Sequence, residues 1–170
     1  MKKVFFTLIA MAGLGGIAQA GGKYVIDSAP APMAPPSCYG TGFEFGGFAA
    51  GIFPDGGVED EIGGGVSLGY FFNENFGLDF SAAVFATDSE IQNYTLDAVY
   101  RFPINCIAPY ILAGGGVHTN GTTEGLFRFG GGIDLRLFEG TSLFADGIYN
   151  ILGGDVEDYT IARIGLRFAF

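Results

Sequence analysis

From Gly42 onward, apolar and polar residues alternate with a period of two, in segments of about ten residues parted by Gly, Asn, Asp or Pro. That period sends successive side chains to opposite faces of an extended chain, so each segment reads as a strand with one apolar face. Eight segments follow one another: Gly42–Phe53, Gly64–Phe72, Phe76–Phe85, Gln92–Phe102, Pro109–His118, Leu126–Leu137, Ser142–Ile151 and Thr160–Phe170. The links after the second, fourth and sixth are tight (73–75, 103–108, 138–141). Those after the first, fifth and seventh are longer (54–63, 119–125, 152–159), and 86–91 is intermediate. Short turns at one end and longer loops at the other are the pattern of a membrane-spanning up-and-down barrel. The expected fold is therefore all-β: an eight-stranded antiparallel up-and-down transmembrane β-barrel over residues 38–170.

Placing the larger apolar residues outside fixes the other face. In the sixth segment Phe127, Phe129, Ile133, Leu135 and Leu137 oppose Arg128, Gly130, Gly132, Asp134 and Arg136, and the third and fourth follow the same scheme. The enclosed charges are then Glu44, Asp79, Asp97, Asp134 and Asp146 against Arg101, Arg128, Arg136, Arg163 and Arg167, which include every arginine of the chain. A soluble barrel would have to hide many aromatic rings in an interior that eight strands only just leave room to fill. With lipid outside, the rings are accommodated and the charges form a polar, salt-bridged interior, without a water-filled channel. Inward glycines (Gly42, Gly46, Gly69, Gly77, Gly130, Gly132 and Gly165) leave volume for the arginine side chains. The fifth segment, PYILAGGGV, is ambiguous because both its faces are apolar or glycine.

The remaining sequence adds address and environment. Residues 1–20 carry Lys2 and Lys3, an apolar run interrupted by Gly13, Gly15 and Gly16, and the triplet Ala18-Gln19-Ala20, the pattern of a cleaved secretory signal. Residues 21–37 hold four prolines and read as an extended periplasmic tether. A net charge of −10, with no basic cluster, excludes nucleic acid as a partner. Cys38 and Cys106 both fall at the short-turn end and can pair in an oxidising compartment, tying the tether across the barrel mouth. The longer loops carry Asp55, Glu59, Asp60, Glu61, Asp88, Glu90, Glu124, Asp155, Glu157 and Asp158, with no Lys or Arg among them. They form an acidic rim that either keeps the loops solvated or offers a surface ligand or hard cation a site; Asp55, Glu59, Asp60, Glu61, Asp155, Glu157 and Asp158 are the metal candidates, although no calcium-loop spacing is present.

Stretches such as GVSLGYFFNENFGLDFSAAV, APYILAGGGV and RFGGGIDLRLFEGTSLFADGIY resemble the eight-stranded barrels of outer membrane protein A and its smaller relatives, over roughly Tyr39 to Phe170. The resemblance implies a C-terminal signal read by the barrel assembly machinery, matched here by Arg163, Gly165, Phe168 and Phe170. It also implies interfacial aromatic girdles. With no tryptophan available, Tyr70, Phe72, Tyr100, Phe102, Tyr110, Phe168 and Phe170 are placed at the inner one and Phe53, Tyr94 and Phe127 near the outer. The peptidoglycan-binding domain of the larger relatives is missing, so cell-wall anchoring is not supported. Some related barrels are lipid A-modifying enzymes that use a His and a Ser two positions on. His118, the single histidine, is followed by Thr119-Asn120 and reads as a loop-edge residue without catalytic work.

The resulting expectation is a non-enzymatic, monomeric outer-membrane barrel without cofactors, which contributes to membrane integrity and adhesion-type surface contacts. Its partners are outer-membrane lipid, including lipopolysaccharide, and the assembly machinery. A narrow porin-like channel for small solutes or ions is the first alternative, a lipid A-modifying enzyme the second.

Overall fold

A computed structural model of the chain describes residues 38–54, 61–85, 91–153 and 158–170. The expected leader (1–20) and tether (21–37) lie outside the described residues.

Eight strands form one closed antiparallel barrel in sequence order, with the last strand paired to the first. They are β1 (Gly42–Pro54), β2 (Glu61–Phe71), β3 (Phe76–Phe85), β4 (Ile91–Arg101), β5 (Ile107–Asn120), β6 (Thr122–Phe138), β7 (Thr141–Leu152) and β8 (Tyr159–Ala169). Closure leaves no edge strand, so the backbone groups of every strand find partners on both sides. The alternation is inside out relative to a soluble barrel. Phe80, Leu96, Phe129 and Ile164 stand on the outer surface, while Asp79, Asp97, Arg128 and Arg163 on the same strands are buried in the lumen.

Two connections differ from the sequence pattern. Residues 119–125, expected as a long loop, are strand: Thr119 pairs with Thr123 and Asn120 with Thr122, so Gly121 alone turns the chain. Its φ of +73° is the left-handed conformation open to glycine, and the β-branched threonines on either side favour extended structure. At the same end of the barrel β2 starts at Glu61 rather than Gly64, because Glu61 and Ile62 continue the ladder against Ile52 and Gly51. The short-turn end matches its pattern more closely. Asn73 Oδ1 accepts hydrogen bonds from the backbone N–H groups of Asn75 (2.9 Å) and Phe76 (2.7 Å), which sets the β2–β3 turn.

β5, ambiguous in sequence, turns Tyr110, Leu112 and His118 inward and Ile111 and Val117 outward. Tyr110 therefore does not belong to the aromatic girdle. Its hydroxyl donates to Asp146 Oδ2 at 2.6 Å inside the barrel, a bond it cannot make from the outer surface.

The inward glycines accommodate rings as well as arginines. A Cβ on Gly77 would lie 2.7 Å from the Phe71 ring, and one on Gly165 would lie 2.8 Å from the Phe144 ring. Each ring in turn supports a guanidinium: Arg101 sits 3.6 Å from the Phe71 centroid and Arg167 sits 4.0 Å from that of Phe144. Gly, Phe and Arg from neighbouring strands thus stack in one layer, where cation–π attraction adds to packing.

Candidate functional site

Among the described residues the lumen gathers buried ionisable side chains, and strand alternation delivers them there. Glu44, Asp79, Asp97, Arg101, Arg128, Asp134, Asp146, Arg163 and Arg167 are all buried, and the side chain of Arg136 is 8% exposed. Four carboxylates each have an arginine of their own. Arg101 grips Glu44 through both oxygens, and Arg128 holds both oxygens of Asp97 while also donating to Ser81 Oγ at 3.1 Å. Arg163 holds Asp146 at 2.8 and 2.7 Å. Arg167 donates to Asp134 at 2.9 Å. Forked guanidinium–carboxylate pairs of this kind meet the need of a buried charge for both a partner and hydrogen bonds.

Five acids and five arginines balance by count but not by pairing. Asp79 faces Asp97 across β3–β4 and forms no ion pair within 4.0 Å among the described residues. Arg136, at the end of β6, reaches only the already occupied Glu44, at 3.4 Å.

Above and below these ion pairs the lumen is plugged. Toward the long-loop end, Phe48, Ile52, Phe85, Leu126, Leu152, Tyr159 and Ile161 form a buried apolar cluster. His118 belongs to this end, and it is not the loop-edge residue expected. It is 4% exposed on the inward face of β5, because β5 continues two residues past it. Its Nδ1 donates to Asn93 Oδ1 at 2.8 Å and lies 3.2 Å from the Tyr159 hydroxyl. Asn93 Nδ2 donates to that hydroxyl at 3.0 Å, completing a three-residue polar cluster. Among the described residues neither a serine hydroxyl nor a carboxylate is hydrogen-bonded to His118, whose partners are Asn93 and Tyr159.

At the short-turn end the segment before β1 crosses the mouth. Cys38 and Cys106 form a disulfide with Cα atoms 4.9 Å apart. Since β1 and β5 are four strands apart in a ring of eight, this bond joins opposite walls. Tyr39, which nothing in the sequence pattern marks, is the stopper. It is 4% exposed, its hydroxyl donates to the Asp134 carbonyl at 2.7 Å, and its ring lies 5.4 Å from Arg101 and 5.0 Å from Arg136. Burial, reinforced by the Asp134 carboxylate, holds the Tyr39 hydroxyl well above the usual tyrosine range. A residue lying before the first strand has no alternation to betray it; its proximity to a cysteine is the only sequence signal.

The acidic rim is not assembled into a cation site among the described residues, where no group of three metal-ligating side chains occurs. Glu61 lies in β2 and Glu124 in β6, while Asp158 accepts the backbone N–H of Leu152 at 3.0 Å. Asp55, Glu59, Asp60, Asp88, Glu90, Asp155 and Glu157 lie outside the described residues. The C-terminal residues Arg163, Gly165 and Phe168 are part of β8, with Phe168 outward, and the Phe170 nitrogen donates to the Phe43 carbonyl at 3.0 Å.

The fold is that of the small eight-stranded transmembrane barrels of the outer membrane, the class of outer membrane protein A and its smaller relatives. Neisserial surface protein A (NspA) superimposes with a TM-score of 0.64 at 18% identity, over 76% of this chain and 98% of that one. The N-terminal β-barrel domain of Pseudomonas aeruginosa OprF gives 0.57 at 22% identity, over 75% and 97%. The outer membrane enzyme PagL gives 0.55 at 12% identity, over 75% and 99%. No protein-family model and no curated protein matches the sequence. Enzymes and non-enzymes share this barrel, so function has to be read from the residues.

Proposed function

We propose that the protein is a non-enzymatic outer-membrane barrel of a Gram-negative cell, exported by a cleaved signal peptide, with a structural and surface-contact role. Its short-turn end and tether face the periplasm, and its longer loops face outward. It works as a monomer in lipid that includes lipopolysaccharide, after insertion by the barrel assembly machinery. The acidic loops are the part available to a surface ligand or cation.

One observation supports this reading above the others: the lumen is filled from end to end by paired charges, an apolar cluster and the Cys38–Tyr39 strap. Such a rod offers no path for solute, and among the described residues no serine or carboxylate is hydrogen-bonded to His118. What remains for the molecule to do is hold lipid around its outside and present loops at its end.

Reconstitution of the refolded protein in planar bilayers tests this directly. Unheated samples should migrate as a compact species on a denaturing gel and lose that migration on boiling, while membranes containing the protein should show no large steady conductance. Steady ion currents would establish the channel reading instead, and an altered lipid A mass profile in a deletion strain would establish the enzyme.

A further inference from the structure

Arg136 is the arginine that the lumen leaves over. Its nearest carboxylate, Glu44 at 3.4 Å, is already held by both nitrogens of the Arg101 fork, and its Nε makes no hydrogen bond although it is buried. Inside the mouth, Arg101, Arg136 and Arg167 face Glu44 and Asp134, one cation more than the buried acids, with Glu139 exposed on the β6–β7 turn outside. Asp79, the acid left over, forms no ion pair with it within 4.0 Å, and neither does the Phe170 carboxylate. A buried guanidinium without a full complement of acceptors is costly, and an oxyanion would supply what it lacks.

The space beside Arg136 is suited to one. A cleft of about 230 Å³ runs between the N-terminal strap and the β6–β7 and β8 ends, lined by Thr41, Phe43, Glu44, Arg136, Gly140 and Phe170 among others. Its outer wall is apolar: Phe43 and Phe170 are exposed on the barrel surface with ring centroids 6.4 Å apart. Its inner wall carries the Arg136 guanidinium beside the Glu44 carboxylate, which Arg101 already holds. A neighbouring space that also reaches Arg136 carries Glu139, which has no ion pair among the described residues, whereas Glu44 is neutralised by Arg101, so the neighbouring space is the poorer place for an anion.

We propose that this cleft binds a phosphate-bearing group through Arg136. The apolar Phe43–Phe170 wall suits a phosphodiester headgroup whose acyl chains continue along the barrel. This rests on the orientation given above, which sets the short-turn end at the periplasmic leaflet. Arg is the side chain whose planar fork fits phosphate oxygens, and that of Arg136 is only 8% exposed.

Native mass spectrometry of the full mature chain, refolded in a neutral detergent, is the test. Phosphatidylglycerol, a diacylglycerol of the same chains and inorganic phosphate are offered separately to the wild type and to Arg136→Gln. Compact unheated gel migration of the wild type checks the barrel itself, independently of the site. Expected is one retained phosphatidylglycerol per wild-type barrel, no retained diacylglycerol, and about tenfold weaker retention in Arg136→Gln. Retention of phosphatidylglycerol but not of inorganic phosphate assigns the lipid as the source, and retention of both assigns phosphate alone. Equal retention by the two proteins, or equal retention of diacylglycerol and phosphatidylglycerol by the wild type, would overturn the site. The wild-type lipid comparison decides even if the variant does not fold.

Discussion

Arg128 and Arg136 carry the same charge into the same lumen and should respond very differently to removal. Arg128→Ala leaves Asp97, wholly buried, without the fork that holds both its oxygens, and costs about 3–5 kcal/mol in a urea unfolding titration followed by gel mobility. Arg136→Ala leaves Glu44 still gripped by Arg101, so its loss is expected to be about 1 kcal/mol or less. Equal midpoints for the two variants would contradict the pairing. Tyr39→Phe removes one buried hydroxyl donor from Asp134 and costs about 1 kcal/mol. Its raised pKa also sets a sign. A tyrosine that ionises higher in the folded state than in the unfolded chain stabilises fully below the ordinary value near 10, and this contribution is lost as pH rises beyond it. Stability of the wild type relative to Tyr39→Phe should therefore shrink above about pH 10 and stay constant between pH 6 and 9.

Among the elements, the β5–β6 hairpin is longer than its sequence suggests, and its tip hangs on one residue. Gly121→Ala forces a Cβ into the left-handed region and should cost about 1 kcal/mol. In the wild type, amides of Thr119 and Thr123 should exchange slowly with solvent, as ladder residues do, and fast exchange at both would return this stretch to loop. Such details show where the sequence was readable. In β3, β4, β6 and β8 every charge falls in one phase and most large apolar residues in the other, so the faces followed from alternation; Phe85, Val99, Leu126 and Ile161 share the charged phase and pack inside the lumen. β5 lacked that contrast, since Gly114, Gly115 and Gly116 have no side chain with which to vote, and Tyr110 was placed on the wrong face as a result. Thr-Asn-Gly-Thr-Thr reads as turn chemistry until the partner strand is known. His118 was placed at a loop edge for the same reason, the end of β5 being set by pairing with β6 and not by any residue near the histidine.

At the level of the whole molecule, the outside is a continuous apolar coat and the inside a charged rod, which is why counting the residues of each kind said so much. What a count could not say is how the ends are shut. The Cys38–Tyr39 strap and the His118–Asn93–Tyr159 cluster each join residues far apart in sequence, and such contacts leave no periodic trace. The C-terminal strand has an expectation of its own. Deleting Phe170 removes the terminal ring that closes the proposed assembly signal, so the truncated chain should accumulate outside the membrane fraction in cells. Normal insertion would mean that β8 is a strand and carries no address.

The bond between Cys38 and Cys106 also makes a covalent ring of the chain. The cysteines are 68 positions apart, so β1 to β4 lie inside one closed loop while β5 to β8 trail from it. Closing a loop of that length removes about 4 kcal/mol of chain entropy from the unfolded state in the simplest treatment. The larger effect is on order of events. The seam of the barrel joins β1 to β8, the two strands farthest apart along the polypeptide. A chain already oxidised when it reaches the membrane brings the start of β1 to the beginning of β5, so the last strand has only half the molecule's contour left to search before it finds its mate.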